Sequence, residues 1–538
     1  MASVCDTMRQ IVHLRADGAD ARMRKGTTLI RDKAYLIGVD IGTQGTKAAV
    51  FDEGMQMLAT ALIPSNLISP EPGVVWQEPA EMLDECCRAI RQAVERAGID
   101  ARLVAAIGLD GQMAGIMGID AGGNASTYYD SWLDMRCRPQ MDHMNRVAGK
   151  RIIELSGGPA TFVHGPKILW WKENQPEAYR NTAKFVLPHA YVVGKLCGLD
   201  AGNAYFDYTH LHFSCLSDNA NKAWSNELLD TFGIERDKMP DIVSPFEVVG
   251  TLQAEYAAAC GLPQGVPMVA GCGDTAASTF GSGMFEAGMM LDIAGTASVL
   301  CSVVDSYVPD TQHETMAMMR SPVDGLFLPL AYINGGGMCI RWFRNTLTGE
   351  PMADYDQLQA EAEQVPWGSE GLLFIPHFSG RVLPNDPYLK GSYLGMDFKH
   401  TRAHLYRAVL EGIAYEYHYY RSVLKQLHPQ MPFDRLLSVG GGANSPLFTQ
   451  IKADVLGVTV STLQLGETAL IGSAVIAGVG IGLLDGYAQP IRQAIRPGST
   501  FRHDQVAHTR YAPYVAAYLD AMADLSGLYR RLPALGKA

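Results

Sequence analysis

The sequence predicts an α/β protein built as two similar domains, and three observations carry that prediction. The chain has 538 residues, of which 47% are hydrophobic and 19% charged, too long for one ordinary core and globular in composition. Strand-length apolar runs such as Leu103 to Leu109 alternate with helical patterns such as Pro79 to Ala97. A strand–turn–strand plan near the start also returns about 250 residues later.

Ordered structure is expected from Ala34. The run Tyr35 to Ile41 has strand length, Gly42-Thr43-Gln44-Gly45 supplies a turn, and Lys47 to Phe51 forms the returning strand. Asp40 sits near the end of the first strand. The later echo is Gly288-Met-Met-Leu-Asp292-Ile-Ala-Gly295-Thr296, again a strand carrying an Asp and followed closely by Gly-Thr. Gly281-Ser282-Gly283 is a natural boundary, which divides the chain into a disordered extension over 1–33 and domains over 34–282 and 283–538.

Composition excludes several classes. A net charge of −12 argues against nucleic acid or an anionic membrane surface as partner. The ten cysteines are scattered with no C-x-x-C pair, and no secretory signal opens the chain, so reduced thiols in a cytoplasmic protein are expected. The most apolar stretch, Leu470 to Leu484, is interrupted by four glycines and is shorter than a membrane span of ~18–20 residues, so it reads as a closely packed buried helix.

Three constellations bear chemistry. In Asp40-Ile-Gly42-Thr43-Gln44-Gly45-Thr46-Lys47 the glycines let backbone N–H groups approach phosphate oxygens. Thr43, Gln44, Thr46 and Lys47 add donors and charge, and Asp40 is placed to hold Mg²⁺. A plain hairpin turn explains the same residues. Gly271-Cys-Gly273-Asp274-Thr275 exposes a carboxylate at a helix start, either as a base for a substrate hydroxyl or as an N-cap. Gly440-Gly441-Gly442-Ala443-Asn444, between a strand and a helix, either lies flat against a nucleoside or only permits tight packing. Gly335-Gly336-Gly337 is a similar turn.

At this point the sequence resembles the FGGY carbohydrate kinases from residue 34 to about 530. Gly391-Ser-Tyr393-Leu-Gly395-Met396, seven residues, then His404 to Glu411 fits the family's second signature. Phe162 to Asn174 resembles the first, with His164 and Trp171 departing from it. The resemblance implies two ribonuclease-H-like, actin-like ATPase domains with a catalytic cleft between them, and transfer of the γ-phosphoryl group of ATP to a hydroxyl. It implies Asp274 as catalytic base and as a metal ligand with Asp40 for Mg²⁺. Gly42 to Lys47 and Gly295-Thr296 become the phosphate turns, Gly440 to Asn444 the adenosine loop, and Gly337 a further ATP- or phosphate-binding residue.

On the substrate side, Gln112-Met113-Ala114 resembles the xylulokinase segment with Ala114 replacing its histidine. Thr275 stands where asparagine is usual. Gln77, Gln112, Met113, Asp134, Arg136, Asp274 and Thr275 are the residues expected at the sugar. A small ketose or polyol is the expected acceptor, with xylulose foremost and ribulose or a tetritol or pentitol as alternatives. Glycerol is disfavoured by the missing charged pair after Gln112. A silent sugar sensor and an actin-like ATPase without a sugar pocket are the rivals from other classes. Many members of the family are dimers, so a homodimer is a further expectation. His189, His210 and His212 are expected as core or surface histidines, with metal binding allowed on spacing alone.

Overall fold

The computed structural model describes residues 34–349, 352–464 and 467–531, so the expected 1–33 extension lies outside the described residues. Two seven-stranded sheets organise the chain.

The first sheet contains β1 (Tyr35–Ile41), β2 (Gly45–Asp52), β3 (Met57–Pro64), β4 (Val104–Gly111), β5 (Val248–Thr251), β6 (Pro267–Val269) and β7 (Cys272–Gly273). Its order is β5-β6-β4-β1-β2-β3, with β7 paired to the end of β4. The second contains β8 (Met289–Ala294), β9 (Ser298–Ser302), β10 (Ala317–Arg320), β11 (Phe327–Ile333), β12 (Arg435–Val439), β13 (Thr459–Leu463) and β14 (Pro497–Phe501). Its order is β10-β11-β9-β8-β12-β13-β14. In both, the first strand pairs antiparallel with its hairpin partner and parallel with a strand from much later in the half. The echo in the sequence is thus a repeated sheet topology, in which each half carries the same antiparallel-to-parallel switch.

The helices that place the site are α1 (Pro79–Ala97), α2 (His164–Asn174), α3 (Asp274–Gly281), α4 (Gly336–Leu347), α5 (Arg402–Leu427), α6 (Pro446–Leu456), α7 (Thr468–Gly480) and α8 (Gln505–Tyr529). The apolar, glycine-rich stretch is α7, buried as expected, although it belongs to the second half of the chain and packs on the first sheet. A methyl at Gly38 would lie 2.2 Å from the Leu470 carbonyl oxygen, and one at Gly108 would lie 2.1 Å from that of Ser473. Gly472 meets the Ala277 carbonyl of α3 in the same way, at 2.2 Å. Glycine is required on both surfaces because helix and sheet backbones touch.

Each half has its own apolar core, and a third core joins them through Leu36, Phe51, Leu291 and Ile476. The cysteines among the described residues are free and buried, and no described helix is long and apolar enough to cross a membrane.

Candidate active site

The parallel strands β1, β4 and β7 end together, and their register determines what meets there. Asp40 of β1 lies opposite Asp110 of β4, and Asp110 opposite Cys272, with Gly111 opposite Gly273. Asp274 follows at the first turn of α3. Three carboxylates therefore converge at the carboxyl ends of adjacent strands, the position at which open α/β sheets bind ligands.

Asp40 and Asp274 were expected here, whereas Asp110 has to be read from the register. It is fully buried, its Oδ2 accepts the Ser473 hydroxyl at 2.6 Å, and its Oδ1 receives no donor. Burial and the charge of Asp274 push Asp40 up to about 6. Burial and Asp40 push Asp110 well above the usual carboxylate range, and burial raises Asp274. Crowded oxygen ligands of this kind suit a hard divalent cation, which relieves their mutual repulsion. The donor set fits Mg²⁺.

Asp274 is oriented from its own helix: Thr275 donates its N–H at 2.5 Å and its hydroxyl at 3.1 Å to Asp274 Oδ1. Met113 packs against Gly273, where a methyl would meet its sulfur at 2.5 Å.

The first hairpin turn closes through Gly42 N–H to the Gly45 carbonyl, 3.1 Å. Gln44 points to solvent. Thr43 accepts the Trp132 indole N–H at 2.9 Å and donates to Gln112 Oε1 at 3.2 Å. Gln112 donates in turn to Gln77 Oε1 at 2.7 Å and to the Gly42 carbonyl at 3.3 Å, so both glutamines brace the turn from beneath. Thr46 faces away from it, buried, with its hydroxyl on Glu85 of α1. Lys47 reaches Glu467, at the start of α7, at 2.9 and 3.0 Å.

Asp134 and Arg136 are committed to each other and to the protein. Asp134 is buried and accepts Arg136 Nε at 2.8 Å and the Val75 N–H at 2.8 Å. The other guanidinium nitrogens reach Tyr128 Oη at 2.6 Å and Asp130 Oδ1 at 2.9 Å, and Trp170 of α2 covers the guanidinium at 4.4 Å. Lys167 of α2 ties the same loop through the Ser131 and Asp134 carbonyls, each at 2.9 Å.

In the second half, Gly295, Thr296, Gly337, Gly441, Gly442 and Asn444 line one cavity of about 530 Å³, closed by Arg341, Tyr355 and Phe448. That volume suits a nucleoside-sized ligand. Gly337 is forced by close approach, since a methyl there would strike the Gly295 carbonyl at 1.9 Å. Gly440 and Ala443 shape the turn without lining the cavity: Gly440 takes φ +87° and its carbonyl accepts the Ala443 N–H at 3.1 Å. Asp292, the counterpart of Asp40, is buried and bound by Lys452, Tyr417 and Ser438, so only the first half offers open carboxylates at this position.

Models of the FGGY family of carbohydrate kinases match the chain over residues 35–281 for the N-terminal domain and 293–481 for the C-terminal domain. The chain belongs to this family.

A xylulose kinase of Bacillus subtilis is 28% identical over 475 residues, covering 87% of this chain and 92% of that one. Two solved structures from Lactobacillus acidophilus, a ligand-bound xylulose kinase and a gluconate kinase, each give a TM-score of 0.86. They share 23% and 22% identity over 93% of this chain and all of theirs, and so show the fold. In this FGGY kinase the last residue of the second signature is scaffolding, while Tyr406 and Leu410 of the same segment line the cavity. Glu411 of α5 is buried and accepts the Gly368 N–H, the Ser369 hydroxyl, Arg407 and Tyr511 of α8, which pins the floor beneath the cavity.

Proposed function

We propose that this sugar kinase transfers the γ-phosphoryl group of ATP to a hydroxyl of a small neutral ketose or polyol, with Asp274 as the base. The observation that carries the reading is the division of labour between the halves. A nucleoside-sized cavity lies in the second, and a carboxylate cluster beside a glycine-bounded turn lies in the first.

ATP places its adenosine against Gly441 and Gly442 and its phosphates toward Gly295-Thr296 and the Gly42–Gly45 turn. Asp40, Asp274 and Asp110 are the residues that would hold Mg²⁺, which would supply charge neutralisation at the phosphates. Asp274 accepts the proton of the attacking hydroxyl, and burial, which raises its proton affinity, makes it a stronger base than a free carboxylate.

A neutral acceptor is favoured because Arg136 is already paired with two buried carboxylates and Lys47 is assigned to the ATP phosphates, which leaves neither of these cations for a sugar acid. Xylulose is the first acceptor to test, in line with the relatives' names. Ala114 and Thr275 differ from the xylulokinase pattern and keep ribulose and the four- and five-carbon alditols in the panel. Trp132, exposed and held by Thr43, stands over the turn at the acceptor side.

ADP release from Mg·ATP across D- and L-xylulose, D- and L-ribulose, erythritol, the pentitols, gluconate and glycerol tests this directly. One acceptor should stimulate turnover strongly, and Asp274→Ala should abolish that stimulation. ATP hydrolysis indifferent to every acceptor overturns the assignment.

A further inference from the structure

Behind the base lies a buried polar cluster that the reaction does not use directly. Asp207, His189 and His210 are fully buried, and His189 and His210 stack at 5.3 Å. His189 Nε2 and His210 Nδ1 approach Asp207 Oδ2 at 3.1 and 2.8 Å. Thr209 meets Oδ1 with its N–H at 2.9 Å and with its hydroxyl.

The three ligand atoms lie within 4.8 Å of one another, as a metal site requires. Two observations argue against a metal. A ligating imidazole is as a rule oriented by a partner on its second nitrogen, yet His189 Nδ1 and His210 Nε2 have none. Asp207 is also already satisfied by four donors. Burial pushes its carboxyl up, but His210 and His189 outweigh burial and hold it below the usual carboxylate range.

What the cluster does hold is the base-bearing segment. The Thr209 hydroxyl has one proton, given to Asp207, so toward Gly273 it is an acceptor; it receives the Gly273 N–H at 3.0 Å. Gly273 is the N-cap of α3, immediately before Asp274. Its other side is closed by Met113, and β7 pairs with β4 through only two residues. Four residues before Thr209, Tyr205 donates its hydroxyl to the Ala270 carbonyl at 3.0 Å. The segment 205–209 therefore straps 270–273 at two points, one of them anchored on a buried charge.

We propose that Thr209, oriented by Asp207, is a positioning residue for phosphoryl transfer: its hydroxyl fixes the Gly273 amide and thereby the place from which Asp274 meets the acceptor. The inference rests on Asp274 as the base. Misplacing a reacting group by about 1 Å can cost ~10²-fold in rate without touching a ligand.

The test compares Thr209→Val, which keeps the shape and removes the hydroxyl, with Thr209→Ser, which keeps the hydroxyl. Both are assayed at saturating ATP and acceptor, well below their melting temperatures, beside Asp274→Asn. The valine variant should lose about 10- to 100-fold in kcat with an unchanged KM for ATP, and the serine variant should recover most of it. Should the valine variant not fold, Thr209→Ala serves with the same expectation. Parental kcat in the valine or alanine variant beside an inactive Asp274→Asn overturns the positioning role alone, as does a serine variant as slow as the valine one. Full activity in Asp274→Asn overturns the base assignment beneath it.

Discussion

Ser473 of α7 donates its hydroxyl to Asp110 Oδ2 at 2.6 Å, so a helix from the second half of the chain closes over the carboxylates of the first. Asp110 is opposite Asp40 in the sheet and has no donor on its other oxygen. Without a cation, these carboxylates favour retaining a proton.

That arrangement sets a pH dependence. The folded state binds protons at Asp40 and Asp110 more tightly than the unfolded chain does, so stability is lost as pH rises from the ordinary carboxylate range, ~4, through Asp40's value of about 6. In EDTA, the melting temperature should rise when pH is lowered from about 7.5 to 6, and Mg²⁺ at the higher pH should act in the same direction. Asp110→Asn should raise the metal-free melting temperature at pH 7.5 by about 2 °C or more, a gain that shrinks toward pH 5. A variant less stable than the parent at pH 7.5 contradicts the account.

Gly441 tests the nucleotide side. A methyl there would have no neighbour within 4 Å and the residue lines the cavity, so a larger side chain enters ligand space without straining the fold. Gly441→Val should leave the melting temperature in place and raise KM for ATP about tenfold or more, a loss of ~1.4 kcal/mol. The acceptor KM should move far less. An unchanged KM for ATP would place the nucleoside elsewhere.

What the sequence disclosed and what it withheld follow one physical divide. Asp40 with its turn, Asp274 with Thr275, and the Gly440–Asn444 turn are local arrangements, and a local pattern reports them. The glycine-broken run 470–484 likewise announced a tightly packed helix. Asp110 carries no local signal, because its meaning depends on pairing with Asp40, 70 positions away, across a parallel register that no spacing encodes. The Trp-x-Asp-x-Arg resemblance places Arg136 at the sugar, while its contacts with Tyr128 and Asp130, six to eight positions back, arise only on folding. His189 and His210, for which the sequence leaves core and surface both open, are core histidines, and the carboxylate that joins them, Asp207, stands 18 positions beyond the first of them.

Arg136 should therefore behave as a brace. Removing it leaves Asp130 and Asp134 buried without the guanidinium that pairs them, with only Lys167 acting on Asp130 through space; loss of one partner of a buried pair costs ~3–5 kcal/mol. Arg136→Ala should lower the melting temperature at pH 7.5. The loss should lessen toward pH 5, because Asp130, pushed up to about 6 chiefly by burial, then takes up a proton. Thermal melts at both pH values check this; a variant melting with the parent at pH 7.5 would return Arg136 to a purely substrate-facing role.

Lys47 and Glu467 form the opposite case. Their side chains are 31% and 35% exposed, so the bond contributes little to stability even though it links residues 420 positions apart. If ATP binds as proposed, its consequence is competitive: a phosphate at the Gly42–Gly45 turn would have to draw Lys47 away from a carboxylate. Glu467→Gln removes that competitor and should lower KM for ATP several-fold, with a melting temperature near the parent's. Lys47→Ala should raise KM for ATP at unchanged stability, since a charge-assisted hydrogen bond contributes ~1.5–3 kcal/mol where it is made. If both variants bind ATP as the parent does, Lys47 serves only the contact between the halves. A rise in KM for both would show Glu467 helping to hold Lys47 where the phosphate needs it.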